Sequence, residues 1–231
     1  MITDDSEPIG SVDAVCFDLD DTLCVYRRSG PELLSVSFET AGVEPFFTYA
    51  EYELRYEEHL EGAASASEIR ERCFADLATE EGYDPDLGRE IAATYAAERD
   101  HRNVDPLPGA IDVLDTLTDY PLALVTNSPP KTQRPKIDAL GIGDRFDTIV
   151  YAGYDTPAKP DPEPFHVALS DLGCRPERAV HVGNSLTSDV AGAAAAGLAS
   201  VWLPDDRTHR PEDVRPDRRI DSLPALLDVL Q

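Results

Sequence analysis

Two carboxylates one residue apart, Asp18 and Asp20 in Asp18-Leu19-Asp20-Asp21-Thr22, are the residues of this chain best placed to do chemistry. They follow the apolar run Val12 to Phe17, which reads as a strand covered on both faces. Side chains alternate along a strand, so both carboxylates are expected on one side at its carboxyl end. Open α/β sheets place their ligands there. Two such groups repel and resist desolvation, so a bound cation, a lysine or a shared proton would have to compensate them. The plainer reading is a polar turn capped by Asp and Thr.

Three later segments offer complementary groups. Thr126-Asn127-Ser128 ends the run 121–126 and precedes Pro129-Pro130 and a helix. A hydroxyl with free backbone N–H groups can hold a phosphate there, although taken alone an ordinary helix cap is the better account. Lys159 opens the proline-stiffened stretch to Phe165, in a chain with only Lys131, Lys136 and Lys159 against 17 arginines. A fixed ammonium there could neutralise a carboxylate and a phosphoryl oxygen, the alternative being a surface lysine. Asn184 and Asp189, after the run 178–183, offer oxygens to a hard cation such as Mg²⁺. The alternative is an N-cap by Ser188 or Asp189.

The elements that must position these groups read as follows. After Thr22 come four helix-period segments, 33–41, 46–60, 64–81 and 87–102, punctuated by Gly42, Gly62 and Gly82. Asp105 to Gly109 is a break, and beyond it helices and strands alternate. The helices are 110–119, 131–140, 163–172, 188–196 and 222–230; the strands are 121–126, 148–151, 178–183 and 199–203. Alternation of this kind predicts a parallel sheet with right-handed crossovers. The first strand belongs with this later half. The expected division is therefore a core of residues 1–23 and 104–231 with a helical insert, 24–103, placed to cover the site like a lid.

Bulk composition narrows the function classes. The 231 residues carry 45 acidic against 20 basic side chains, a net charge of −25. A field this negative opposes nucleic acid and anionic membrane, and its self-repulsion calls for screening salt. Acid excess with scarce lysine resembles the cytosolic proteins of salt-loving archaea. The 42% hydrophobic content, arranged in strand-like runs, argues against an acidic disordered chain. No run approaches a membrane span, and the acidic start lacks an apolar leader, so the expected location is the cytosol. Cys16, Cys24, Cys73 and Cys174 form neither a disulfide framework nor a zinc pattern. The histidines are scattered, and His181, inside an apolar run, reads as a core or near-site residue rather than a metal ligand.

Taken together, DLDDT (18–22), VTN (125–127), KPDPEPF (159–165) and VGNSLTSDVAGA (182–193) resemble the haloacid dehalogenase-like (HAD) hydrolases in order, spacing and strand-end placement. The resemblance implies an α/β fold: a Rossmann-like parallel sheet core, strand order 5-4-1-2-3 in chain terms, with an inserted α-helical cap domain. It implies Asp18 as a nucleophile forming an aspartyl-phosphate, and Asp20 as the acid for the leaving alcohol and then the base for water. It implies Thr126 and the Asn127 backbone as holders of the phosphoryl group, and Lys159 as the offset to its charge and that of Asp18. It further implies Mg²⁺ held by Asp18, the Asp20 carbonyl and the segment carrying Asn184 and Asp189. Asn184 departs from the family, which usually has Asp there, and an amide oxygen is the weaker Mg²⁺ ligand.

The leading expectation is a Mg²⁺-dependent phosphatase of a small phosphorylated metabolite. The rivals are a phosphoryl-transferring mutase, a 2-haloacid dehalogenase, against which Asp20 stands, and a non-catalytic binder of the same fold. Tyr26, Arg27 and Arg28 are candidates to meet the far end of a substrate, the arginines equally candidates for solvated turn positions. The substrate and the oligomeric state are not legible in the sequence.

Overall fold

The computed structural model describes residues 9–59, 66–205 and 213–230. Contacts divide the chain into two compact units, Met1–Tyr26 with His101–Gln231, and Arg27–Asp100.

The first unit is built on strands β1 (Ala14–Phe17), β2 (Cys24–Tyr26), β3 (Val104–Pro106), β4 (Leu122–Thr126), β5 (Thr148–Tyr151), β6 (Ala179–Gly183), β7 (Ala199–Trp202) and β8 (Arg218–Arg219). Six of them form one parallel sheet in the order β5-β4-β1-β6-β7-β8. Setting aside the β2–β3 pair and the short β8, this is the order 5-4-1-2-3 read from the other edge. β2 and β3 pair antiparallel where the chain leaves and re-enters this unit, a ladder the sequence reading did not contain.

Alternation along the central strands sends side chains to two cores. Val15, Phe17, Leu122, Leu124, Val180 and Val182 pack on one face. Ala14, Cys16, Ala123, Val125 and Ala179 pack on the other, against Phe165, Ala168 and Leu169. Strands buried on both faces lose the polar alternation of a half-exposed sheet, which is why these runs are apolar apart from His181 within β6 and Thr126 at the end of β4.

The second unit comprises α1 (Gly30–Ala41), α2 (Tyr49–Glu58), α3 (Ala66–Glu80) and α4 (Pro85–Glu98). α1 starts on a capping box in which Ser29 and Glu32 satisfy each other's backbone N–H, and it ends at Gly42 with φ 70°. Asp84 caps α4 ahead of Pro85. The first unit's helices are α5 (Ala110–Thr116), α6 (Pro130–Leu140), α7 (Glu163–Leu172), α8 (Ala191–Ala196) and α9 (Leu226–Val229). The helix expected over 188–196 begins instead as a π-helical turn, Leu186–Val190, capped by Ser185, whose hydroxyl accepts from the Ser188 N–H, rather than by Ser188 or Asp189. Among the described residues no helix is long and apolar enough to cross a membrane.

Candidate active site

β1 lies between β4 and β6, at the point where chain order reverses across the sheet. The carboxyl ends of these three strands therefore bring Asp18, Thr126 and Asn184 to one edge, the position in which such sheets bind ligands.

Asp18 directly follows β1, and its N–H donates to the Val182 carbonyl at 2.9 Å. Its Oδ1 accepts from Lys159 Nζ at 2.8 Å. The same ammonium donates to Asp189 Oδ1 at 2.7 Å and to the Val125 carbonyl at 2.7 Å. All three of its hydrogens are thereby committed. Asn127 clamps the lysine's backbone from both sides: its Nδ2 donates to the Lys159 carbonyl at 2.9 Å and its Oδ1 accepts from the Lys159 N–H at 2.8 Å. The sequence reading gave Asn127 a backbone role only; the structure adds this second one.

Burial dominates the electrostatics. It pushes Asp18 up to about 7, against the pull of Lys159, with Asp189 and Asp20 adding to the push. Burial also opposes the charges on Lys159 and Asp189, but their partners outweigh it: Asp18 and Asp189 together hold Lys159 above the usual lysine range, and Lys159 with His181 holds Asp189 below the usual carboxylate range. Burial lowers His181, whose Nε2 lies 3.0 Å from Asp189 Oδ1. A carboxylate only accepts, so Nε2 carries the proton of a neutral imidazole. Gly183 makes this packing possible, because a Cβ there would lie 2.3 Å from the Asp189 carboxyl carbon.

Asp20 has different partners. Its Oδ1 pairs with Lys136 Nζ and its Oδ2 accepts from Gln133 Nε2 at 2.8 Å. Gln133 Nε2 also donates to Thr126 Oγ1 at 2.7 Å. Each carboxylate of the pair thus has its own ammonium: β1 ends at Phe17, ahead of both, and the chain turns just past Asp20, at Asp21 with φ 58°. Gln133 and Lys136 were missed by sequence reasoning. The scarcity of lysine that singled out Lys159 applies equally to Lys136.

Of the positions considered for a far-end contact, Tyr26 lies with its hydroxyl 2.6 Å from His101 Nδ1 and its ring 4.6 Å from Lys136 Nζ. Arg28 pairs with Glu98 at 2.9 Å inside the helical unit.

Among the described residues no three His, Cys, Asp or Glu side chains form a metal-binding group. The donors present are of another kind, and they suit Mg²⁺, which takes one or two carboxylates and otherwise water and phosphate oxygens. Asp18 is a buried carboxylate that its lysine alone does not keep in the ordinary range. No backbone hydrogen bond among the described residues takes up the Asp20 carbonyl. Asn184 Nδ2 donates to Asp205 Oδ2 at 2.9 Å, which turns Oδ1 the other way, 3.5 Å from the Thr22 hydroxyl. Asp189 is more deeply engaged, since its oxygens already accept from Lys159, His181 and the Ser185 N–H.

A parallel α/β sheet carrying a buried carboxylate–ammonium centre at its switch point has the architecture of a ligand-binding α/β protein with a reactive carboxylate at its binding edge. A family described as haloacid dehalogenase-like hydrolase matches residues 12–197, and the chain belongs to it. It is 37% identical over 163 residues to the phosphoserine phosphatase of Thermus thermophilus, covering 70% of this chain and 65% of that protein. It is 32% identical to the glyceraldehyde 3-phosphate phosphatase of Methanopyrus kandleri, covering 95% of this chain and 97% of that one. A HAD hydrolase of Bacillus subtilis, solved bound to magnesium, superimposes with a TM-score of 0.76 at 25% identity, covering 96% and 99% of the two chains.

Proposed function

We propose that this hydrolase is a Mg²⁺-dependent phosphatase of a small phosphomonoester, with Asp18 as its nucleophile. The observation that carries the reading is the buried Asp18–Lys159–Asp189 centre at the carboxyl end of β1, with Thr126 at the end of the neighbouring strand. The phosphatase relatives support the class of substrate.

In this reading an Asp18 oxygen attacks phosphorus as the bond to the leaving oxygen breaks. Asp20 gives its proton to that oxygen, so the alcohol departs neutral and Asp20 is left as a carboxylate. Water then attacks the aspartyl-phosphate and passes a proton to Asp20. The P–O bond to Asp18 breaks, and inorganic phosphate leaves with Asp18 restored. Thr126 and the Asn127 N–H hold the phosphoryl oxygens. Lys159, its hydrogens already placed, contributes fixed positive charge beside Asp18.

Mg²⁺ held by Asp18, the Asp20 carbonyl and Asn184, with Asp189 behind them, would supply the charge that lets an anionic nucleophile approach an anionic substrate. We assign the helical insert the role of a cap that sets specificity, from its place between the first two motifs. The acidic composition suits the salt-rich cytosol of a halophile.

Hydrolysis of p-nitrophenyl phosphate in molar KCl, with Mg²⁺ or with EDTA, tests the reading. Release should require Mg²⁺ and fall about a thousandfold or more in Asp18→Asn. Undiminished release by folded Asp18→Asn would remove Asp18 as nucleophile.

A further inference from the structure

We infer that Gln133 and Lys136, three residues apart on α6, are positioning residues that aim the Asp20 carboxylate and the Thr126 hydroxyl at the phosphoryl group. This rests on the proton-transfer role proposed for Asp20.

Residues three apart on a helix share a face, and here that face is turned to the site. Gln133 is fully buried, and the Lys136 side chain is 3% exposed against 37% for Asp20. The pair is therefore a buried ammonium presented to a half-open carboxylate. Burying a lysine is costly, and a buried ion pair is a poor means of gaining stability. Burial by itself pulls Lys136 down, but Asp20 and Tyr26 outweigh it. The Tyr26 ring, 4.6 Å from Nζ, adds a cation–π contact on a second side.

Gln133 makes the same point differently. Its Oε1 is buried with no hydrogen-bond partner among the described residues, an arrangement that costs stability. Its Nε2 is spent wholly on the site, one hydrogen for Asp20 Oδ2 and one for Thr126 Oγ1. Two consequences follow. With Oδ1 on Lys136 and Oδ2 on Gln133, the plane of the Asp20 carboxylate is held at two points. With Thr126 Oγ1 accepting from Gln133, the threonine's own hydrogen is directed elsewhere and is available to a phosphoryl oxygen. A single amide thus ties the proton-transfer group to the phosphoryl-holding group, 113 and 7 positions away in the chain.

The composition agrees. The chain retains three lysines against 17 arginines, and two of the three are buried, each on one carboxylate of the Asp18/Asp20 pair. A lysine presents a compact point charge there, where an arginine would bring a planar fork.

Leaving-group dependence tests this, because proton donation matters more for a basic leaving group. We would measure kcat/KM for phenyl phosphate and p-nitrophenyl phosphate with wild type, Lys136→Met, Gln133→Leu and Asp20→Asn, confirming folding by circular dichroism. Lys136→Met should lose about tenfold more on phenyl phosphate than on p-nitrophenyl phosphate. It should add little to Asp20→Asn in the double variant. Gln133→Leu should show the same bias and carries the test by itself if Lys136→Met does not fold. Equal losses on both substrates, with Asp20→Asn still biased, would reduce the two residues to scaffolding and overturn the inference alone. An unbiased loss in Asp20→Asn would overturn the proton-transfer reading and this inference with it.

Discussion

Helices α1–α4 bury aromatic rings, whereas the carboxyl edge of the parallel sheet buries ions. In the helical unit Phe38, Phe47, Phe74, Tyr52 and Tyr95 interlock edge to face, with neighbouring ring centroids 4.9–6.3 Å apart. Tyrosines aside, Ser37 is its one fully buried polar residue among those described, and the hydroxyl donates to the Leu33 carbonyl at 2.7 Å. The other unit buries Asp18, Lys136, Lys159, His181 and Asp189 together at one edge. Packed rings raise stability directly, and the charged pairs of the helical unit, such as Arg55–Glu80, sit where water solvates them. Buried ions raise stability little or reduce it. Their concentration at one strand edge separates the part of the molecule shaped by chemistry from the part shaped by packing.

The sharpest test of this contrast compares Phe74→Ala with Lys159→Met. Each should cost about 3–5 kcal/mol near neutral pH, the first by opening a cavity and the second by leaving two buried carboxylates without their cation. The costs should part as pH falls. The cavity does not titrate, whereas protonation of Asp18 and Asp189 relieves the second loss. Denaturant titrations at pH 5 and pH 8 decide the matter, and a Lys159→Met cost that did not shrink at pH 5 would break the comparison.

A smaller effect should appear at Asp18 itself. Its folded pKa, pushed up to about 7 chiefly by burial, lies above its ordinary value of 3.8. The native state therefore binds the extra proton between those values, and stability is lost as pH rises through 7. In EDTA, wild type should lose stability relative to Asp18→Asn between pH 5 and pH 8, and added Mg²⁺ should recover it. A difference that stayed flat across this range would show that burial does not govern Asp18.

The smallest change belongs to the surface of the helical unit. Arg55→Ala deletes the pair with Glu80 at 2.7 Å, yet both side chains are substantially exposed. The loss should stay below about 1 kcal/mol and shrink further in molar KCl. A larger loss that persisted in salt would place electrostatics inside the unit read here as packed by rings.

Much of the frame was legible because it is written locally. Fully buried strands read as mostly apolar runs, and the stretch Val12 to Phe17, interrupted only by Asp13, shortens to Ala14–Phe17 in the structure. Asp18, Thr126, Lys159 and Asn184 could be named because each sits at or just after a strand, in a segment that resembles a family pattern. The β2–β3 ladder was not legible: each strand is three residues long, too short to show a period, and they pair across the inserted helices. Nor was the boundary: the expected insert ran over 24–103, whereas the compact units part after Tyr26 and before His101, so residues 24–26 and 101–103 fall with the sheet unit.

The sequence alone determined the strand-and-helix alternation, the strand-end carboxylates and the lone loop lysine, since these depend on near neighbours in the chain. Only the tertiary structure decided which ammonium answers which carboxylate. Lys159 reaches Asp18 across 141 positions and Lys136 reaches Asp20 across 116. On α6, Gln133 and Lys136 look like any polar pair on a helix. Hydrogen bonds act over about 3 Å, and nothing short of the folded sheet brings residues so distant in sequence within that reach.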